Sequence, residues 1–320
     1  MALNNFIFFL VLIIFSFIFN KYFISFLNKY NPKLLVDDQF NKPQAFHENP
    51  VSTLGGAGIF FSFFLVYLYF FLFQEILYLD YMLFCTLFFC LGFIDDLKVK
   101  FSAKIRLLFM IIFLILLVHY NDLYLENTGI EFLNIWISNS KIFSLIFICL
   151  CFLFVINGAN LIDGYNGLLG IHSLIILINL FFINYLNGFY DLSYFILSAI
   201  LILIIFIKFN FPKSKLFLGD SGSYFLGTFV AISVIKTSIL NPEISPFYFC
   251  ILLFYLFFEV FFSFLRKVIV EKKSPIHPDG MHLHMMVYNF LYKKNKDKFK
   301  SNYSVSIILN LIYLILIAPA

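Results

Sequence analysis

Charge is scarce in this chain. Of its 320 residues only 12% are charged, whereas 62% are hydrophobic, and the mean hydropathy is +0.94. A soluble domain of this length carries a charged exterior, so a soluble fold is excluded. Cysteine is sparse as well. Cys85, Cys90, Cys149, Cys151 and Cys250 all fall in apolar runs, without zinc or redox spacing. An odd count at membrane depth argues against a disulfide framework, and the five read as small core hydrophobes. The opening run "MALNNFIFFLVLIIFSFIFNKYF" has no basic residue ahead of its apolar stretch and no small-x-small cleavage site. It therefore reads as a retained first helix. No internal repeat is visible. With a net charge of only +4, no nucleic-acid partner is expected.

What the chain has in abundance is long apolar windows. Ten are long enough to cross a bilayer: 4–27, 54–74, 76–94, 105–120, 142–158, 167–187, 192–210, 222–240, 246–268 and 304–320. The expected fold is all-α, one polytopic transmembrane domain over residues 1–320 with about ten helices. The basic residues lie almost wholly in the odd-numbered connections. Counting Lys21 and Lys208 with the nearest ends, 20 of the 22 lie on that side, leaving Lys141 and Lys236 on the other. By the positive-inside rule the N-terminus is outside and the odd connections are cytoplasmic.

Five polar stretches fall on that one face: "FHENPVSTLGGAG", "FIDDLKVKFSAKIR", "NGANLIDGYNGLLG", "PKSKLFLGDSGSYFLG" and "KKSPIHPDGMHLHM". The third has no basic residue, so something other than topology requires its polar groups. Together they bring four acids, Asp95, Asp96, Asp163 and Asp220, to one boundary. Carboxylates and amide oxygens suit a hard divalent cation. Mg²⁺ in particular is held by one or two carboxylates plus substrate phosphates, which would make the substrate a phosphate ester. Gly55, Gly56, Gly164, Gly167, Gly219 and Gly222 stand at helix entries, where backbone N–H groups can meet anions. The same glycines would equally serve close helix packing. Lys104, Arg106, Lys213 and Lys215 would neutralise a diphosphate or act as membrane-face anchors. His277, His282 and His284 sit in a Pro- and Gly-rich turn region. His282 and His284, two apart, would face one way on an extended segment; zinc is conceivable there, but with no cysteine partner and few acids nearby, phosphate or sugar hydroxyls fit better.

In this order the segments "NPVSTLGGAGIF", "FIDDL", "NGANLIDGYNGLLG", "FLGDSG" and "SPIHPDGMHLH" resemble the polyprenyl-phosphate N-acetylhexosamine-1-phosphate transferases, glycosyltransferase family 4. The likeness is nearer to the undecaprenyl-phosphate GlcNAc-1-phosphate branch than to the phospho-MurNAc-pentapeptide branch. The resemblance implies a multi-pass inner-membrane enzyme with a cytoplasm-facing site. It would pass a UDP-activated N-acetylhexosamine 1-phosphate, GlcNAc by default, to a polyprenyl phosphate and release UMP. The product would initiate an envelope polysaccharide such as the O-antigen of lipopolysaccharide. It implies Mg²⁺, with Mn²⁺ as the alternative, and leaves room for a homodimer.

Carried over by residue, Asp95, Asp96 and Asp163 resemble the catalytic acids, the first two orienting the lipid phosphate. Asp220 resembles the metal ligand, with Asn160 as its companion. Asn157 and Asn166 would join Asp163 around nucleotide and sugar, and Phe217 would stack on uracil. Lys104 or Arg106 would meet the diphosphate, and Asp279, His282 and His284 would recognise the sugar. Asn166 stands where many relatives carry an acid, and Met285 follows His284 where a second histidine is common. The competing class is a secondary transporter, which also breaks helices with glycine and buries ionisable groups.

Overall fold

The computed structural model describes residues 2–30, 36–37, 51–99, 102–125, 127–272, 274 and 280–319. Thirteen helices account for most of them. In chain order they are α1 (Ala2–Tyr30), α2 (Gly55–Phe73), α3 (Leu79–Asp96), α4 (Ala103–Asn121), α5 (Glu131–Asn139), α6 (Lys141–Ile162) and α7 (Leu168–Leu186). Then come α8 (Tyr190–Asn210), α9 (Gly219–Leu240), α10 (Pro246–Leu252), α11 (Phe254–Leu265), α12 (Leu283–Asn295) and α13 (Lys298–Ile317). The last turns of α11 widen into a π-helix, Arg266–Val270. A two-residue antiparallel pair joins β1 (Val36–Asp37) to β2 (Val51–Ser52).

Each of the ten apolar windows falls on a helix. Among the described residues, eight helices are long and apolar enough to cross a membrane. The third window is α3, whose eighteen residues include Asp80, Asp95 and Asp96 at its two ends. The ninth is a bent pair, with α10 and α11 meeting at 71° around Leu253. Local chemistry sets several boundaries. Ser102, Ser140 and Asp297 each accept an N–H from the third residue onward, capping α4, α6 and α13. Pro246, which has no N–H to lose, opens α10 after Ser245.

Helix α9 is the centre of the bundle. Some 72% of its apolar span is buried, against 17% for α1 and 22% for α4, which face outward. It packs on α3, α6, α2 and α7. Lipid tails give helices no hydrophobic reason to associate, so close approach must come from small residues. Gly222 of α9 meets the backbone of Gly56 in α2, and Gly92 of α3 meets the backbone of Asp220. Gly227 lies against Ile156 of α6. Helix α3 runs antiparallel to α9. At one end Asp80 is ion-paired with Lys236 at 2.6 Å, and that amine also lies 5.1 Å from the Tyr81 ring. At the other end are Asp95 and Asp96.

Candidate active site

The site is assembled where α3 and α6 end and α9 begins. The chain enters α9 along the strand-like Leu216–Leu218 segment. Phe217 N–H donates to the Ser52 carbonyl at 2.8 Å. Gly55 and Gly56 N–H donate in return to the carbonyls of Phe217 and Leu218, both at 2.9 Å. Gly219, at φ +72°, then turns the chain into the helix. A side chain there would sit 2.7 Å from both Asp96 Oδ2 and the Thr53 carbonyl. Asp96 accepts from the first free amides of α9: Asp220 N–H at 2.9 Å and Ser221 N–H at 3.0 Å.

This arrangement corrects one sequence expectation. The amides of Gly55, Gly56 and Gly167 and the first amides of α9 are not open to a substrate anion. Those of Gly55 and Gly56 bind carbonyls, that of Gly167 donates to Asn210 Oδ1 at 2.6 Å, and the start of α9 is closed by Asp96. A half-buried helix start must pair its N–H groups, and a carboxylate placed there also meets the positive end of the helix dipole. Gly55, Gly56 and Gly222 serve close packing.

The side chain of Asp220 stays in the cleft. Its Oδ1 accepts from Asn160 Nδ2 at 2.8 Å, and that nitrogen lies 2.9 Å from Ser223 Oγ. Arg106 Nη1 is 3.8 Å from Asp220 Oδ2 and forms an ion pair with Asp95 Oδ2. Arg106 reaches both because Lys98, in a left-handed conformation at φ +57°, turns the chain out of α3, and Ser102 starts α4 one turn before it. Its guanidinium lies 5.9 Å from the Tyr224 ring centre. Lys104 is exposed, so of the two basic candidates the structure brings Arg106 to the cluster. Asp163, half-buried, closes α6 within electrostatic reach of Asp220 and Asp96. Burial first, then those two negative charges, holds its carboxyl well above the usual carboxylate range.

Among the described residues, no three His, Cys, Asp or Glu side chains form a ready metal cage. Asp96 is committed to backbone amides and Asp95 to Arg106. Asp220, with Asn160 beside it and Asp163 nearby, remains. Even with Asp163 protonated, one guanidinium beside Asp95, Asp96 and Asp220 leaves excess negative charge. That donor set fits a hard cation held by one or two carboxylates and completed by phosphate oxygens.

The remaining candidates divide. Asn157 is half-buried on α6 and donates to the Leu153 carbonyl at 2.8 Å. Asn166 is buried and tied into the scaffold. Its N–H donates to Asn302 Oδ1 at 2.9 Å and its side-chain amide to the Pro212 carbonyl at 2.9 Å, while its carbonyl accepts from Ser306. Phe217 is half-buried beside Gly55. Lys213 and Lys215 are exposed. His282 and His284 do face one way, yet their segment is no strand. His282 precedes α12 in extended backbone and His284 lies in its first turn. The rings stack, with centres 5.4 Å apart and planes at 5°. His47, His277 and Asp279 lie outside the described residues.

Glu259 was not among the sequence candidates. It is 2% exposed and takes His282 Nδ1 at 3.1 Å and His284 Nδ1 at 3.0 Å. The signal was available: Glu259 is the sole charged residue between Pro246 and Leu265, and an ionisable group inside an apolar span is a functional candidate by default.

Comparison with known proteins covers the same part of the chain. The model of the family described as Glycosyl transferase family 4 matches residues 78–238, which carry Asp95, Asp96, Arg106, Asn160, Asp163 and Asp220. An undecaprenyl-phosphate alpha-N-acetylglucosaminyl 1-phosphate transferase of Thermotoga maritima is 32% identical over 139 residues, covering 43% of this chain and 41% of that protein. A phospho-N-acetylmuramoyl-pentapeptide-transferase of Dictyoglomus turgidum is 34% identical over 201 residues, 60% of this chain and 63% of that one. Another of the same description, from Prochlorococcus marinus, is 26% identical over 312 residues, 91% and 85% of the two chains. The matches thus cover less than two thirds of the first two relatives, and both branches of the superfamily are represented. With half its length matched by the family model, and its acidic cluster inside that match, this chain belongs to glycosyl transferase family 4.

Proposed function

We propose that the protein transfers an N-acetylhexosamine 1-phosphate from a UDP-sugar to a polyprenyl phosphate, releasing UMP. The observation that carries this reading is the meeting of Asp95, Arg106, Asn160, Asp163 and Asp220 at one end of the bundle. Such a cluster, at helix ends and not at mid-span, supports chemistry on phosphates at a membrane surface more than a transport path. A lipid phosphate reaches such a site from within the bilayer. The distribution of Lys and Arg supports a cytoplasmic location for this face, an outside N-terminus and the inner membrane.

In the transfer, an oxygen of the lipid phosphate forms a bond to the sugar-bearing phosphorus, and the bond from that phosphorus to UMP breaks. Little covalent help is needed; positioning and charge neutralisation dominate. Arg106 supplies fixed positive charge between Asp95 and Asp220. Asn160 orients the Asp220 carboxylate. Asp163, whose carboxyl keeps its proton above the usual carboxylate range, adds no further negative charge beside Asp220 and can donate a hydrogen bond to a phosphate or sugar oxygen. Mg²⁺ or Mn²⁺, bound through Asp220, would neutralise the diphosphate. GlcNAc is the default sugar, and the product would begin an envelope polysaccharide such as O-antigen.

The test uses purified protein with polyprenyl phosphate, Mg²⁺ and a panel of UDP-sugars, following UMP release. Release with one donor names the substrate. No release with any donor, together with solute uptake into liposomes, would replace this reading with the transporter.

A further inference from the structure

The two histidines and Glu259 form a unit with a defined chemical direction. Both rings and the carboxylate are buried: His282 is 3% exposed, His284 0% and Glu259 2%. A carboxylate this deep is costly unless its oxygens are matched by donors. Each oxygen faces one imidazole nitrogen, Oε2 to His282 Nδ1 and Oε1 to His284 Nδ1. An ionised carboxylate can only accept, so both Nδ1 atoms carry hydrogen. The opposite nitrogen of a neutral ring is then a bare acceptor. His284 Nε2 is buried and has no hydrogen-bond partner among the described residues. It points at the turn after α6, where a Cβ on Gly164 would lie 3.9 Å from it. Tyr165 stands edge-on to the same ring, with centres 5.6 Å apart. Gly164 directly follows Asp163 of the acidic cluster.

We propose that Glu259 is a positioning residue. It locks His284 as the Nδ1–H tautomer so that Nε2 accepts an O–H or N–H from the nucleotide sugar at the Asp163–Gly164 turn. The inference rests on the transferase reading. A sugar hydroxyl or acetamido N–H, and a ribose or uracil donor, offer the same chemistry, and the experiment separates them.

The test has two parts, both on the full chain. Nitrogen NMR of the ¹⁵N-histidine-labelled protein reads which ring nitrogen carries hydrogen, with His284→Gln identifying the resonance. The expected result is hydrogen on Nδ1 and a bare Nε2 in the wild type, lost or exchanged in Glu259→Gln. A protonated Nε2 in the wild type overturns the proposal even if the variant does not fold. In the kinetic part, Glu259→Gln is expected to raise the KM for the UDP-sugar about tenfold, the size of one hydrogen bond, with kcat within about twofold. Unchanged inhibition by UMP would assign the bond to the sugar, and an equal weakening of UMP would assign it to the nucleoside. An unchanged KM overturns the proposal. Absence of UMP release from the wild type would sink the transferase reading alone, since the NMR result decides the tautomer independently.

Discussion

Asp96 Oδ1 accepts the backbone N–H of Asp220 at 2.9 Å, so one acid of the cluster builds the platform from which another projects. Its neighbour Asp95 turns to Arg106 instead. Successive helix residues point about 100° apart. An adjacent acidic pair at a helix end can therefore hold the next helix with one carboxylate and face the cleft with the other.

Asp220→Asn is expected to lower UMP release at least about a hundredfold, the usual scale for losing one well-placed electrostatic group. Melting temperature should stay within a few degrees, because the cap on α9 comes from Asp96 and the backbone. Turnover close to wild type would remove Asp220 from the proposed cation site.

Arg106 and Lys104 should behave differently. Arg106→Lys keeps the charge but loses the fork that spans Asp95 and Asp220, and turnover should fall roughly tenfold or more. Lys104 is exposed, and Lys104→Ala should change turnover by less than about twofold. Equal losses would mean that Arg106 acts only as a general positive charge.

The elevated Asp163 carboxyl gives stability a pH dependence with a definite sign. Above about pH 4 the unfolded chain has lost this proton, while the folded protein keeps it up to the raised value. Stability of the substrate-free protein therefore falls as pH climbs through that window. Asp163→Asn should give a shallower decline of melting temperature with pH. Identical slopes would show that Asp163 ionises normally.

The crossing of α2 and α9 is set by two glycines. A Cβ on Gly56 would collide with the backbone of Gly222, which cannot swing aside as a side chain could. Gly56→Ala is expected to destabilise by about 2 kcal/mol, within the overpacking range, and to depress thermal stability in detergent. Gly280, with open space around its Cα, provides the control. A Gly56→Ala protein as stable as Gly280→Ala would contradict the packing.

Much of the architecture was legible because the bilayer imposes a length on every apolar run. All ten windows lie on helices, including the one that bends at Leu253. The acids of the cluster were legible too, since few polar residues interrupt those runs. Two things were hidden. Linear order cannot tell that Asp96 caps α9, a contact spanning 124 positions. Nor does "DGYNG" reveal that Asn166 spends its amide on Pro212 and its backbone on α13. Glu259 was overlooked because its histidine partners lie 23 and 25 residues away, beyond the widening of α11 and the Pro-rich connection.

Helices α3 and α9 are fastened at both ends, by Asp96 on the amides of Asp220 and Ser221 and by Asp80 on Lys236. Such a beam, pinned at two supports, resists sliding. Bending is therefore expected in the kinked α10–α11 arm, which carries Glu259, and not in the α3–α9 pair. Any such bending would carry the imidazoles bonded to Glu259 and leave the acidic anvil still.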